Sequence, residues 1–351
     1  MKTPGYAWRV LRSNKARVDA HGGRKEMPHS TGLFWNGECL RLTEMDWPAL
    51  APNEARIRVK KAGVCNTDLE IIKGYMGFQG ILGHEFVGVV EEAPDAPQWQ
   101  GKRVCVDINA ACDEATNMKT CTTCGNPHHC PNRSVIGIVN HHGAFAHYVT
   151  APIRNLYEVP DSVSDESAVF VEPLAAAFEI VEQVKIEKSD KVVVLGDGKL
   201  GLLIAMALRL HSENVTLVGR HREKLACVEG LGIETVLSGQ TAPLVGADVV
   251  VEATGTAGGI EEAIALLKPR GVLVLKSTVA DTKGLNLAPV VVNELTIVGS
   301  RCGPFDVALE ALASGKVPVE RLIQRRFALE EGVHALDVAA QKGMLKVLLE
   351  M

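Results

Sequence analysis

The fold is decided by residues 192–201, which read VVVLGDGKLG. Four consecutive apolar residues are typical of a strand that is covered on both faces of a parallel sheet. The next six residues match the pattern G-x-G-x-x-G, and the apolar segment that runs on to Leu210 predicts a helix directly behind them. In such a turn the first glycine bends the chain, the second lets the backbone approach a pyrophosphate, and the third lets helix and strand pack closely. The stretch therefore predicts a dinucleotide site at the amino end of a helix, formed by Gly196, Gly198, Lys199, Leu200 and Gly201.

Outward from this stretch the chain changes its pattern. From about residue 174, strands alternate with helices, and the six predicted strands end with residues 295–298, which favours a doubly wound sheet. Before residue 171, short strands broken by glycine and proline predict a mostly β domain. We predict an α/β protein with three parts: an N-terminal extension that is disordered (1–30), a mostly β domain (31–172 and 304–351) and a dinucleotide-binding domain (173–303).

Composition limits the class of protein. A chain of 351 residues suggests about two domains. A net charge of −5 argues against a broad nucleic-acid surface, and no run of about 18 apolar residues predicts a membrane span. The nine cysteines are odd in number, and four fall between residues 112 and 130, which fits metal-bound thiolates in a reducing compartment better than disulfides. We therefore predict a cytoplasmic protein without nucleic-acid or membrane partners.

The first thirty residues are basic and poor in acids. Two interpretations stay open for them: a tail outside the fold, or the remainder of a transit peptide for import into an organelle. The sequence does not separate the two.

The end of the second strand of the dinucleotide-binding domain bears on the choice of cofactor. An acidic residue normally stands there and accepts a hydrogen bond from the ribose 2′-hydroxyl. Here the position is held by Gly219, and Arg220 and Arg222 follow it. Without the acid a 2′-phosphate is not repelled, and an arginine can bind it with two hydrogen bonds. The sequence therefore predicts a preference for NADP over NAD.

Candidate metal ligands lie in the first half of the chain. Cys65, in GVCNTD (63–68), is followed nineteen residues later by His84, in GHEFVG (83–88). Glu172 follows much further on, in VEP (171–173). A thiolate, an imidazole and a carboxylate are good zinc ligands, and three of them leave a fourth position for substrate. Zinc beside a nicotinamide site predicts hydride transfer to or from an alcohol.

These motifs, together with VEATG (251–255), resemble those of the zinc-dependent medium-chain dehydrogenases/reductases, whose branches include alcohol, polyol and threonine dehydrogenases. The resemblance covers about residues 31–351. It implies a GroES-like catalytic domain, a Rossmann domain, and a catalytic zinc bound by Cys65, His84 and Glu172. It further implies roles for five other residues: Thr67 in passing the substrate proton, Asp68 in holding the imidazole of His84, Glu85 as a carboxylate behind the metal that could replace Glu172 or the water in a resting state, and Thr254 and Gly255 at the cofactor.

Four cysteines occupy the place of the structural zinc lobe of that family: Cys112, Cys121, Cys124 and Cys130. Their spacing, C-x8-C-x2-C-x5-C, differs from the family pattern C-x2-C-x2-C-x7-C, although the central C-x2-C is kept. We predict a second, structural zinc, with His128 or His129 as possible substitutes for one thiolate. Free thiols or a disulfide are the alternatives.

The predicted function is therefore zinc-dependent hydride transfer between NADP(H) and an alcohol, polyol or amino alcohol, or the corresponding carbonyl compound. Two alternatives are a zinc-independent NADPH reductase of activated double bonds and a non-catalytic NADPH-binding redox sensor built on the cysteine cluster. Because the family usually forms dimers or tetramers, a homo-oligomer that pairs through residues 295–298 is expected.

Overall fold

A computed structural model describes residues 29–46, 48–111, 115–117, 120–121, 126–278 and 284–351. The chain forms two compact units. The first comprises the described residues up to Phe170 together with Ile323–Met351, and the second is Val171–Leu322. The N-terminal extension predicted for residues 1–30 lies outside the described residues, except for its last two positions.

The strands and helices are numbered here in chain order. The strands are β1 (His29–Trp35), β2 (Leu40–Asp46), β3 (Glu54–Gly63), β4 (Gly80–Ile81), β5 (Glu85–Glu92), β6 (Arg103–Val106), β7 (Asn109–Ala110), β8 (Ala115–Asn117), β9 (Thr120–Cys121), β10 (Ser134–Ile136), β11 (Asn140–His141), β12 (Tyr148–Pro152), β13 (Leu156–Glu158), β14 (Lys191–Leu195), β15 (Asn214–Gly219), β16 (Glu234–Leu237), β17 (Ala247–Glu252), β18 (Leu267–Leu275), β19 (Thr296–Gly299), β20 (Ile323–Ala328) and β21 (Lys346–Glu350). The helices are α1 (Asn66–Ile71), α2 (Asp165–Ala168), α3 (Val171–Gln183), α4 (Lys199–Leu208), α5 (Arg222–Leu225), α6 (Ala257–Leu266), α7 (Ala288–Val292), α8 (Phe305–Ala313) and α9 (Gly332–Ala339). Within the described ranges, no helix is long and apolar enough to cross a membrane.

The second unit is built on a six-stranded parallel sheet. Its strand order is β16-β15-β14-β17-β18-β19, which is the order 3-2-1-4-5-6 of a doubly wound Rossmann sheet. Val193, Val250 and Leu273, from three of its four inner strands, are fully buried. This confirms the predicted α/β fold class and explains why residues 192–195 are apolar without interruption.

The end of the second unit differs from the sequence prediction. Helix α8 packs against α3, so the second unit extends to Leu322 rather than to residue 303, and the chain returns to the first unit at β20.

The first unit is mostly β, as predicted. Its largest sheet has the order β13-β6-β5-β3-β21-β20, with β12 also pairing with β3. Smaller sheets have the orders β2-β1-β4, β11-β10-β7 and β8-β9. Leu33, Ile57 and Phe145 are fully buried in a shared core, to which β21 adds Leu349.

The pairing of β3 positions the candidate metal ligands. In the antiparallel pair of β3 and β5, Gly63 lies opposite Glu85. The residues just after β3 and just before β5 are therefore neighbours in space, although nineteen positions separate Cys65 from His84. On the other side of β3, Gly63 is the partner of Leu348 in β21, which brings the C-terminal strand to the same place.

Candidate active site

One group of potential metal ligands occurs in the part of the chain that the structure describes, and it contains Cys65, His84 and Glu85. One ligand atom from each of these residues lies within 4.8 Å of the other two. His84 and Glu85 are buried, and Cys65 is partly exposed. A sulfur, an imidazole nitrogen and a carboxylate oxygen at this separation fit a zinc ion, which takes such ligands at about 2.0–2.3 Å.

Cys65 is fixed by the start of helix α1. It is the N-cap residue, and its Sγ accepts the N–H of Thr67 at 3.5 Å. In return, Asp68 Oδ2 accepts the N–H of Cys65 at 2.9 Å, which completes a capping box. The hydrogen bonds that cap helix α1 thus hold the thiol of Cys65 just beyond the end of β3.

Asp68 also reaches the second ligand. Its Oδ1 accepts the N–H of Gly83 at 3.1 Å and lies 3.3 Å from Nδ1 of His84. That nitrogen is buried, and among the described residues it has no partner with hydrogen-bond geometry, so the contact with Asp68 is electrostatic. Burial lowers the pKa of His84, but the negative charges of Asp68 and Cys65 outweigh it and the pKa lies well above its usual value. The negative groups around His84 therefore favour a positive charge at this imidazole.

Glu85 has a partner that the sequence analysis missed. Its Oε2 pairs with Nζ of Lys346, and both side chains are almost completely buried. The ammonium also lies 5.2 Å from the ring centroid of Phe170. Charge separation of this kind deep in a protein is costly unless the partners stay together. The sequence alone did not indicate this ion pair, because Lys346 lies in a C-terminal strand 261 residues from Glu85.

Thr67 lies beside the sulfur of Cys65. Its Oγ1 is 3.6 Å from Sγ, and its side chain is partly exposed. The role of this hydroxyl in passing the substrate proton stays a prediction.

Glu172 lies in the first turn of α3 and is partly buried. It belongs to the second unit, whereas Cys65 and His84 belong to the first. Its role as a zinc ligand stays a prediction.

The predicted structural zinc site falls largely outside the described residues. This applies to Cys112, to Cys124 and to the side chain of Cys121. Cys130 is fully buried. His128 Nε2 lies 2.7 Å from Asp107 Oδ2, so a carboxylate already holds the imidazole proposed as a substitute ligand.

The glycine fingerprint links β14 to α4. A Cβ atom added to Gly201 would lie 1.9 Å from the carbonyl oxygen of Gly196, so no side chain fits there. A Cβ at Gly198, the N-cap of α4, would meet nothing within 4 Å. The loop therefore has no free space beside Gly201 but has free space beside Gly198, at the amino end of α4, where Lys199 and Leu200 begin the first turn.

The end of β15 contains an acid that the sequence analysis overlooked. Asp197, the second residue of the fingerprint, accepts hydrogen bonds from the N–H groups of Arg220 at 2.6 Å and His221 at 2.7 Å. Arg220 and Arg222 are exposed beside it. The signal that could have revealed Asp197 is an acid inside the fingerprint combined with a glycine at the end of the second strand.

Glu252 organises the loop behind β17. It is fully buried, and its Oε1 accepts the N–H groups of Thr254 at 2.6 Å and Gly255 at 3.0 Å. Its Oε2 accepts the hydroxyl of Ser277 at 2.8 Å. The two residues predicted to touch the cofactor, Thr254 and Gly255, are therefore held by a third that sequence reasoning did not single out.

Comparison with known proteins agrees with this geometry. A family model described as the alcohol dehydrogenase GroES-like domain matches residues 51–161, and one described as the glucose dehydrogenase C-terminus matches residues 165–351. An erythritol/L-threitol dehydrogenase of Mycolicibacterium smegmatis is 30% identical over 88% of this chain and 94% of its own. A sorbitol dehydrogenase of Halalkalibacterium halodurans is 28% identical over 92% of this chain and 96% of its own.

Solved structures give the same result. A dehydrogenase from Sinorhizobium meliloti 1021 bound to NADP is 27% identical with a TM-score of 0.83, and the match covers 92% of this chain and 100% of that one. The GroES-like and Rossmann organisation and the predicted oxidoreductase activity are thereby confirmed. The chain belongs to the zinc-dependent medium-chain dehydrogenases/reductases and is an NAD(P)-dependent oxidoreductase of the alcohol and polyol dehydrogenase type.

Proposed function

We propose that this protein transfers a hydride between NADP(H) and a polyol or related alcohol, with a zinc ion held by Cys65 and His84. The observation that carries the proposal is the group of Cys65, His84 and Glu85, whose ligand atoms lie within 4.8 Å of one another. A bound zinc would supply Lewis-acid polarisation of the alcohol or carbonyl oxygen. The bound nicotinamide would accept or donate the hydride.

The side chains around this group have separable tasks. Asp68 holds the backbone of both ligand segments through Cys65 N and Gly83 N. Thr67 provides a hydroxyl that can take a proton from the substrate and pass it towards solvent. Lys346 holds the carboxylate of Glu85 in the interior. These residues orient the site and move protons, whereas a bound zinc would polarise the substrate oxygen and a bound nicotinamide would supply the redox chemistry.

Glu172 is proposed as the third protein ligand, on the strength of the VEP motif and the family resemblance. If it is a ligand, Glu172→Gln should speed the release of zinc to a chelator, followed with a colorimetric zinc indicator. Glu182→Gln, which changes an exposed carboxylate near the other end of α3, is the matched control. Equal rates of zinc release from the two variants would remove Glu172 from the ligand set.

The preference for NADP is supported by Gly219 at the end of β15 and by the exposed guanidinium groups of Arg220 and Arg222. We expect Arg220→Ala to lower kcat/KM for NADP by about tenfold or more while changing that for NAD little, because only the 2′-phosphate requires the charge. An equal effect on both cofactors would contradict this assignment.

The proposed substrate class is supported by relatives that are named for sugar alcohols, namely an erythritol/L-threitol dehydrogenase and a sorbitol dehydrogenase. The experiment is a panel of alcohols, polyols, amino alcohols and aldehydes assayed with NADP(H) before and after chelation, together with zinc analysis. Polyol oxidation that is lost on chelation and restored by zinc supports the proposal. Full activity without zinc on activated double bonds would favour the reductase, and zinc lost on mild oxidation without turnover of any alcohol would favour the redox sensor.

We also propose that the protein is a homodimer or homotetramer that pairs through β19. This strand is an edge of the six-stranded sheet. Among the described residues, Ile297 on β19 and Val291 and Val292 on α7 are large apolar side chains that are exposed, at 41%, 78% and 78%. Exposed apolar surface beside an open strand edge favours association. Analytical ultracentrifugation should show a dimer or tetramer that Ile297→Lys dissociates, and a wild-type monomer would contradict the proposal.

A further inference from the structure

The carboxyl end of β15 carries an acid that comes from a different segment of the chain. Position 219 is glycine, but Asp197 projects from the fingerprint loop to the same point. Its Oδ2 accepts the N–H groups of Arg220 and His221 and lies 3.0 Å from Nδ1 of His221. The carboxylate missing from the strand is thus replaced by one from the loop.

Gly219 and Asp197 depend on each other sterically. A Cβ atom added to Gly219 would lie 2.6 Å from Cβ and 2.7 Å from Oδ2 of Asp197. Contacts this short do not occur between real side chains, so the structure has room for an acid on the loop or on the strand, but not on both. A test that introduces aspartate at position 219 alone would therefore disturb the packing as well as the charge.

The electrostatic consequence concerns the 2′ position of the adenosine ribose. In a Rossmann domain this position lies at the end of the second strand. Burial raises the pKa of Asp197, but the hydrogen bonds from His221 and Arg220 outweigh it and the pKa lies below its usual value, so the group is ionised at neutral pH. Two backbone N–H groups that could bind an incoming phosphate already hold this anion.

We propose that Asp197 is a specificity-determining residue that weakens binding of cofactors bearing a 2′-phosphate relative to those with a free 2′-hydroxyl. A fixed carboxylate repels the phosphate and can accept a hydrogen bond from the hydroxyl. The exposed arginines act in the opposite direction, so the preference for NADP is smaller than Gly219, Arg220 and Arg222 alone would produce. This inference rests on the proposed function only in requiring that the dinucleotide binds at this fingerprint.

The test is Asp197→Asn, an isosteric change that removes the charge. Dissociation constants for NADP and NAD are measured by isothermal titration calorimetry, independently of turnover. We expect the ratio of NADP affinity to NAD affinity to rise by about tenfold. Glu213→Gln, just before the opposite end of β15, is the matched control and should leave the ratio unchanged. A ratio in Asp197→Asn that is unchanged or lower would overturn the proposal.

A second pair of variants tests the same point if asparagine disturbs the loop. Asp197→Gly removes the loop carboxylate, and adding Gly219→Asp to it places a carboxylate on the strand where space has been made. The double variant should favour NADP about tenfold less than Asp197→Gly does, and equal ratios would overturn the proposal. A wild-type protein that prefers NAD, combined with a rise in Asp197→Asn, would refute the proposed NADP preference and support the role of Asp197.

Discussion

Asp68 in the first unit and Asp197 in the second perform the same local task in two different sites. Each accepts two backbone N–H groups: Asp68 from Cys65 and Gly83, and Asp197 from Arg220 and His221. Asp68 stands inside the motif that contains the metal-ligand candidate Cys65, so the sequence predicts a place for it near the metal, but as a partner of the His84 imidazole rather than of these backbone groups. Asp197 occupies a position that the G-x-G-x-x-G pattern leaves unspecified, so the sequence predicts no role for it. The comparison teaches that a motif predicts which atoms bind a ligand better than it predicts which charges surround that ligand.

The largest expected effect concerns the metal ligands in the first unit. Cys65→Ser should lose one zinc per chain and lower kcat for alcohol oxidation by about a thousandfold or more, because the Lewis acid is lost. Zinc content by atomic absorption and steady-state kinetics provide the measurement. Cys39→Ser, outside the ligand cluster, is the control and should keep both zinc and activity. Full zinc content in Cys65→Ser would contradict the proposal that Asp68 orders the residues of a zinc site.

The next effect concerns the buried ion pair beside the cluster. Lys346→Met leaves the carboxylate of Glu85 buried without its partner and should destabilise the protein by about 3–5 kcal/mol. The free energy of unfolding is measured by urea denaturation of metal-free protein. Adding Glu85→Gln should recover much of this loss, because the uncompensated charge is then gone. No recovery in the double variant would show that Lys346 acts through packing alone.

The third expected effect is a smaller loss of stability, caused by a substitution in the second unit. Gly219→Ala brings a Cβ against Asp197 and within 2.8 Å of Leu225, which should cost about 1–3 kcal/mol. In the background of Asp197→Gly the cost should fall, and a double-mutant cycle in urea measures the coupling. Gly198→Ala is the control, since its Cβ would meet open space and its φ of −76° suits any residue. Additive costs in the cycle would contradict the steric link between positions 197 and 219.

The smallest effect is a dependence of stability on pH in the first unit. Burial lowers the pKa of His142 to about 4, and its Nδ1 accepts the N–H of Ile81 at 2.9 Å. The unfolded chain therefore binds the proton more readily, and stability should fall as pH drops from about 6.5 to 4. His142→Gln keeps a hydrogen-bond acceptor and should reduce this loss of stability by about 1 kcal/mol. This value is lower than the full pKa shift would give, because the His142 side chain is partly exposed and solvent screens its charge.

Thermal unfolding at pH 7 and pH 4 provides the measurement. Exposed His334 serves as the control in His334→Gln, and identical acid sensitivity of the wild type and His142→Gln would contradict the account.

The sequence was most informative where local pattern and structure coincide. Uninterrupted apolar runs such as residues 192–195 predicted the buried parallel strands. The motifs around Cys65 and His84 predicted that these two residues share a site, and the pairing of β3 with β5 brings them together, with Glu85 as the third member of the group. The sequence was least informative where contacts join distant segments. Lys346 meets Glu85 only because β21 returns beside β3, and α8 belongs to the second unit only because it packs on α3. Neither contact has a local signature, since each depends on the folded topology.

The central claim is that Cys65 and His84 bind one zinc ion. Diffraction data collected on either side of the zinc absorption edge from crystals of the intact protein test it most directly. We predict an anomalous difference peak within bonding distance, about 2.0–2.3 Å, of both Cys65 Sγ and a ring nitrogen of His84. A zinc-replete crystal in which no peak contacts either side chain would contradict the account.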